Sequence, residues 1–370
     1  MINLVRSIIT NKLSKKTAFS VLVMPADSNI ELSHECVIFA EKTVLKINTL
    51  FGEVITPNLI GESFEVGEVL IINVPNNTID RFYRPSATAN SILLTEKCDQ
   101  RCIMCSQPPK DVDYDYFDLF KEALMLTPEN THIGITGGEP TLHKKKLFSF
   151  IIDIINSRPD ITFHVLSNGQ HIKESDIPFL KKINEHVLWG IPLYADGAEL
   201  HDKIVVKKKA YNKLLKNFNI FYESSSRIEL RTVVLRQNIS NMHGLAEFIS
   251  MHLPWIEIWA IMQLENTGYA TQHWEEIFFD NSVDFITLGK SLDYMKSANI
   301  KTALYNFPLC TIPQDHRKYA LSTISDWKNK YLEDCADCSK KGSCGGFFEW
   351  YNKGIGYQII KPIIGGARDG

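Results

Sequence analysis

Beyond residue 90, short apolar runs alternate with amphipathic stretches of ten or more residues, and this alternation limits the fold more than any other feature. Strands are expected at Ser91–Thr95, Thr131–Thr136, Ile161–Ser167, Val187–Tyr194, Ile228–Leu235 and Trp255–Met262. Helices are expected between them at Tyr116–Met125, Lys145–Asn156, Asp176–Asn184, Ala210–Tyr222 and Asn241–His252. Parallel neighbours need a long crossover, so this order implies a parallel sheet covered by helices. Six such strands fit an open or partial barrel rather than a closed eight-stranded one. In these sheets, functional groups gather at the C-terminal strand ends.

The flanking segments have a different texture. Residues 1–88 hold the short apolar runs Ala18–Val23, Cys36–Ala40 and Val69–Val74, separated by Pro25, Asp27, Gly61, Gly67 and Pro75-Asn76-Asn77. That pattern reads as a β-rich domain. The barrel is expected over 89–298, ending in a helix at Val283–Ser297. Residues 299–370 form a cysteine-rich extension that opens with a strand at Lys301–Tyr305 and closes in a Gly-rich tail.

Composition narrows the class. The 370 residues are 44% apolar and 22% charged, which excludes disorder for most of the chain. Net charge is −3, from 40 basic and 43 acidic side chains, so there is no electrostatic case for nucleic-acid binding. No run of 18 apolar residues marks a membrane span. The N-terminal apolar run, Ser7 to Thr10, is too short for a secretory signal. A cytoplasmic protein is expected, in a compartment that keeps thiols reduced.

Eight cysteines there need a reason other than disulfides. Cys36 stands alone in an apolar run and reads as core packing. The other seven fall in two groups. The first follows the first strand: Cys98, Cys102 and Cys105, spaced C-x3-C-x2-C. Three thiolates on one short loop can hold three irons of a cubane cluster and leave the fourth iron open. A structural zinc would need a fourth ligand. The second group is Cys310, Cys335, Cys338 and Cys344. Four thiolates suit one complete cluster or a four-thiolate zinc site.

The second strand runs into Gly137-Gly138-Glu139-Pro140. Paired glycines let a ligand approach the backbone, and Glu139 can receive a cationic group. The same residues also make an ordinary strand-to-helix turn with Pro140 at the helix start.

The two motifs, in this order and at these strand ends, resemble those of the radical S-adenosylmethionine (SAM) superfamily. Met104 stands before the third cysteine, where the family more often has an aromatic residue. The resemblance implies a partial (β/α)6 barrel with a [4Fe–4S] cluster on Cys98, Cys102 and Cys105. SAM would chelate the open iron and be cleaved reductively to a 5′-deoxyadenosyl radical that abstracts a substrate hydrogen, with electrons from an external donor. Glu139 would receive the SAM amino group, with Gly137, Gly138 and Pro140 around it. Ser167 and Asn168 match a position near SAM, although Asn168-Gly169 also reads as a plain turn. Tyr194 stands at the ribose position, where the peptide-modifying branch more often has serine. Arg231 is placed to pair with the SAM carboxylate or to snorkel at the surface. Glu265 and Asp196 are candidate bases by position alone, and His132, His143 and His164 read as structural.

The C-terminal cysteines resemble a shortened SPASM or twitch extension of radical SAM peptide maturases, with at most one auxiliary iron–sulfur cluster. Two stretches, Asn90–Lys110 and Ser322–Asn329 with Cys335 to Phe348, resemble the HxsC maturases of the His-Xaa-Ser peptide system. That implies modification of a ribosomally made precursor peptide, alongside a second radical SAM maturase. The β-rich region would dock the peptide or merely cap the barrel. The alternatives are a radical SAM enzyme for a small molecule or RNA base, and a non-catalytic iron–sulfur docking or electron-transfer partner.

Overall fold

The structure is a computed structural model. It describes residues 64–73, 78–112, 115–352 and 354–365, and the strand backbone at 5–6, 18–24, 36–41, 44–49 and 54–55. The expected burial of Cys36 and the Gly-rich tail beyond residue 365 lie outside the described residues, as does the last residue of the expected strand Val69–Val74.

Two compact units are present: Met1–Thr95 with Val112–His164, and Glu96–Asp111 with Val165–Gly370. The first holds seven strands, β1 (Val5–Arg6), β2 (Ala18–Met24), β3 (Cys36–Glu41), β4 (Val44–Thr49), β5 (Val54–Ile55), β6 (Val69–Asn73) and β7 (Thr78–Tyr83). They pair in the order β1-β7-β6-β2-β3-β4-β5. Only β2 and β3 run parallel, so the β-rich reading of this region holds. Helix α1 (Phe117–Met125) packs on this sheet, with Phe120 5.7 Å from Phe82 between ring centroids. Two parallel strands, β8 (Asn90–Thr95) and β9 (His132–Gly137), and helix α2 (Lys144–Ser157) complete the unit. The helix buries Leu147, Ile151, Ile154 and Ile155, the one-sided stripe of a helix that covers a sheet.

Strands β10 (Thr162–Leu166), β11 (Val187–Pro192), β12 (Arg227–Val233), β13 (Ile258–Met262), β14 (Thr302–Tyr305) and β15 (Ala320–Leu321) follow, and β16 (Asn329–Lys330) and β17 (Phe347–Phe348) form a separate antiparallel pair. Strands β8 to β15 form one eight-stranded sheet in sequence order. This α/β architecture is the expected one, extended by β14 and the two-residue β15 beyond six strands.

In the second unit, helices α3 (Ile177–Ile183), α4 (Ala198–Val205), α5 (Ala210–Glu223), α6 (Met242–His252), α7 (Tyr269–Ile277) and α8 (Ile286–Ser297) connect the strands. The short α4 and α7 were not expected from the sequence. One sheet face is apolar and fully buried, carrying Trp189, Ile191, Leu230, Trp259 and Ile261. The alternate positions carry Gly190, Glu229, Arg231, Ala260, Ala303 and Tyr305, brought into line by the parallel register. Period-two alternation separates these sets, so one face is core and the other is free for chemistry.

Candidate active site

The cysteine loop begins at the end of β8, and the C-terminus of α4 holds it. Helix ends leave carbonyls without intrahelical donors. Here the Ile103 amide donates to the Ile204 carbonyl at 3.0 Å and the Arg101 amide to the Val205 carbonyl at 3.3 Å. Val206 takes the left-handed conformation that ends the helix. At the far side, the Tyr269 amide donates to the Cys105 carbonyl at 2.9 Å.

Cys98, Cys102 and Cys105 are free thiols, each partly buried. Burial, reinforced by charge on Cys105 and Cys98, pushes the Cys102 thiol well above its ordinary range. Burial raises Cys105 as well. Buried thiols gathered on one loop are a donor set that a cationic metal centre would stabilise as thiolates. Met104, between them, is 6% exposed and packs in the core with Tyr194, Leu235 and Leu264.

Strand ends β10 and β11 supply the surroundings. The Ser167 hydroxyl accepts from the Gly169 amide and the Asn168 side chain from the Gln170 amide, both at 3.0 Å. With Gly169 at φ +69°, this is the tight turn that Asn168-Gly169 foretold. The Asn168 amide also donates to Asp99 at 2.9 Å, a tie to the cysteine loop that the sequence did not reveal. Tyr194 is buried, and burial, with charge on Cys102 and Cys105, holds its hydroxyl well above the ordinary range, while Arg231 works the other way. Tyr194, Arg231 and the three cysteines thus share one electrostatic neighbourhood.

The Tyr194 amide donates to Nδ1 of His201 at 3.3 Å. His201 is 1% exposed, and burial lowers its pKa to about 4. In the unfolded chain the ring titrates near 6.5, so between these values the unfolded state binds more protons. The stability this neutral ring contributes is complete above pH 6.5 and is lost as pH falls toward 4. We expect about 3 kcal/mol of acid destabilisation over that window. His201→Asn, which keeps an acceptor near the Nδ1 position, should flatten it. Denaturant midpoints of both proteins at pH 7 and pH 4.5 check this; parallel losses would refute it.

Arg231 neither snorkels nor stands free. Its Nη1 forms a short ion pair with Glu229, which is 3% exposed, and the Tyr305 hydroxyl donates to the other Glu229 oxygen at 3.1 Å. Burial and the Glu229 charge raise the Tyr305 hydroxyl above its ordinary range. The two positional base candidates are engaged elsewhere. Asp196 accepts from Asn241 at 2.7 Å, and Glu265 pairs with Lys328 at 3.1 Å.

The first unit carries the Gly137–Pro140 turn. Gly137 has φ +130°, and a side chain there would place Cβ 2.2 Å from the Thr95 carbonyl oxygen, so only glycine fits. The Gly138 amide donates to that same oxygen at 2.7 Å. Glu139 is fully buried and accepts from the Thr141 amide at 2.9 Å. Pro140 opens a short 3-10 turn, Pro140–His143.

The second cysteine group is gathered by the fold. Cys310, Cys335, Cys338 and Cys344 line one cavity with Tyr331, Lys341 and Phe347. Backbone amides of Leu309 and Gly346 donate to the Cys344 sulfur, and that of Ile363 to the Cys338 sulfur, each at 3.4 Å. Burial, with charge on Cys344 and Cys335, pushes the Cys310 thiol up to about 12. Amide donors to sulfur favour thiolates, so these residues fit a thiolate-bound metal centre.

Residues 92–249 match a family model described as the Radical SAM superfamily. The chain is 26% identical over 180 residues to the GTP 3′,8-cyclase of Nautilia profundicola, covering 46% of this chain and 54% of the relative. It is 22% identical over 158 residues to the Bacillus subtilis antilisterial bacteriocin subtilosin biosynthesis protein AlbA, covering 42% and 35%. The chain thus spans about half or less of the length of the curated relatives it matches. Among solved structures, it is similar to Streptococcus suis SuiB bound to S-adenosylmethionine, with a TM-score of 0.47, 19% identity and coverage of 58% and 49%. Superfamily members use a [4Fe–4S] cluster and SAM, which suits the three-thiol loop found here. The matched residues, 92–249, include the three-thiol loop and the Gly137–Pro140 turn, so this part of the chain is similar to the radical SAM superfamily.

Proposed function

We propose that the protein is a radical SAM enzyme that modifies a ribosomally made peptide of the His-Xaa-Ser type by hydrogen abstraction. The observation that carries the SAM chemistry is the three-thiol loop, anchored by the α4 carbonyls, with Tyr194 within electrostatic reach of its thiols and of Arg231. Cys98, Cys102 and Cys105 would hold a [4Fe–4S] cluster, which supplies the electron that cleaves SAM to the 5′-deoxyadenosyl radical. The chain's own residues bind and orient. Arg231 offers the guanidinium for a carboxylate, with Glu229 beside it. Tyr194 and Met104 give a water-poor wall. Glu139 is the acceptor for an amino group. Cys310, Cys335, Cys338 and Cys344 would hold one auxiliary cluster.

The peptide substrate is supported by the stretches that resemble those of His-Xaa-Ser maturases and by the similarity to a bacteriocin biosynthesis protein. The β-rich region is then the docking element for the precursor, and a second radical SAM maturase and an external electron donor are the partners. The GTP 3′,8-cyclase relative favours a second reading, in which the substrate is a nucleotide or other small molecule. No described helix is long and apolar enough to cross a membrane.

The test is release of 5′-deoxyadenosine from SAM by anaerobically reconstituted, dithionite-reduced protein, against a variant with Cys98, Cys102 and Cys105 all changed to Ala. Release that needs these cysteines is expected. A deuterated His-Xaa-Ser peptide should pass its label to the deoxyadenosine. Label from GTP but not from peptide would select the second reading. A fully iron-loaded protein that releases none, with either substrate present, would refute the enzymatic reading.

A further inference from the structure

Asp99 lies between the first two cysteines and takes no part in ligation. Even so, its carboxylate has three bonded partners. Asn168 donates to it at 2.9 Å and His171 at 3.0 Å, and Lys207 forms a short ion pair with it. These donors come from two separate places, the turn after β10 and the segment after α4. The α4 carbonyls already hold the loop backbone at Arg101 and Ile103. The carboxylate therefore fastens the one part of the loop, between Cys98 and Arg101, that those backbone bonds do not reach. It is about one-quarter exposed, so the ion pair is partly shielded from water and less screened than a surface pair.

We infer that Asp99, with Lys207, His171 and Asn168, is a latch that holds the cysteine loop in its ligating conformation, so that these four act as positioning residues for the metal centre. The argument is preorganisation. Ligands spread over eight residues of one loop hold a metal centre best when fixed groups outside the ligand set hold the loop, and Asp99 ties it to two other segments. It also reassigns Asn168, whose amide serves the loop through Asp99 rather than SAM directly. The inference rests on the reading of Cys98, Cys102 and Cys105 as cluster ligands.

The test is chelator-driven iron loss from the anaerobically reconstituted full chain, followed by visible absorbance and by paramagnetic resonance after reduction. The variant with Cys98, Cys102 and Cys105 changed to Ala identifies which signal belongs to the first loop. Asp99→Asn and, separately, Lys207→Met should release first-loop iron about tenfold faster. Iron on the second cysteine group should leave at the wild-type rate, and the melting temperature should hold. Equal first-loop rates in wild type and both variants would overturn the latch. So would faster loss from both groups together with a lower melting temperature, because that is a general loss of stability. A wild-type protein with no iron dependent on the three cysteines would remove the functional reading and the latch with it, and is distinguishable from both.

Discussion

Gly268→Ala is expected to strip the first cysteine loop of its cluster while leaving the rest of the fold standing. Gly268 joins β13 to α7 at φ +60° and ψ −129°, a conformation that L side chains rarely adopt. An added Cβ would sit 2.3 Å from the Cys105 carbonyl oxygen, 2.8 Å from that of Ser106 and 2.7 Å from Cδ of Pro108. Two of these neighbours are backbone atoms, so no rotamer change relieves the collision. The next amide, from Tyr269, is the one that binds the Cys105 carbonyl. Cysteine loop and α7 entry therefore move together. Strain at such a position costs about 1–3 kcal/mol before the clash is counted. Displacing a ligand by about 1 Å is enough for a hundredfold loss of rate. We expect 5′-deoxyadenosine release to fall about 100-fold or more, with iron retained on the second cysteine group. Gly197→Ala is the control, since nothing lies within 4 Å of its added Cβ. Wild-type deoxyadenosine release by Gly268→Ala would show that the loop does not depend on this contact.

The contrast between this glycine and the cysteines shows what can be read from a sequence. Ligand spacing on one loop is local, so C-x3-C-x2-C and the Gly137–Pro140 turn stand out. Alternation of apolar runs is local too, and five of the expected helices match observed ones within a residue or so at each end. Asp99 is different, because its partners lie 69, 72 and 108 positions away. Only the folded chain brings them together. Helix α4, eight residues long, is too short to show a clear period. Glu229 and Arg231 sit two apart on one strand, which puts them on one face, a signal that was present. Arg231 alone also fits a ligand role, which hides the pairing in the sequence.

That pair changes how Arg231 must be tested. Arg231→Met removes the cation beside a carboxylate that is 3% exposed. Leaving a buried charge without its counter-ion costs about 3–5 kcal/mol in the general case. The Arg231 side chain is about one-fifth exposed and Tyr305 still donates to Glu229, so the lower end, about 3 kcal/mol, is expected here. Removing both charges, as Glu229→Gln with Arg231→Met, should return stability to within about 1 kcal/mol of wild type. With any cost of zero or more for Glu229→Gln alone, the coupling is at least about 2 kcal/mol, read from urea midpoints at pH 7 in a double-mutant cycle. Additive losses would mean that the pair is not coupled in solution. The same cycle separates folding from binding. A single Arg231 variant that loses SAM affinity says little, since its fold is weakened. A double variant that keeps its midpoint yet binds SAM about tenfold more weakly would assign the carboxylate to the guanidinium. Unchanged affinity in that stable double variant would leave Arg231 as the counter-ion of Glu229 and move the carboxylate contact to another residue.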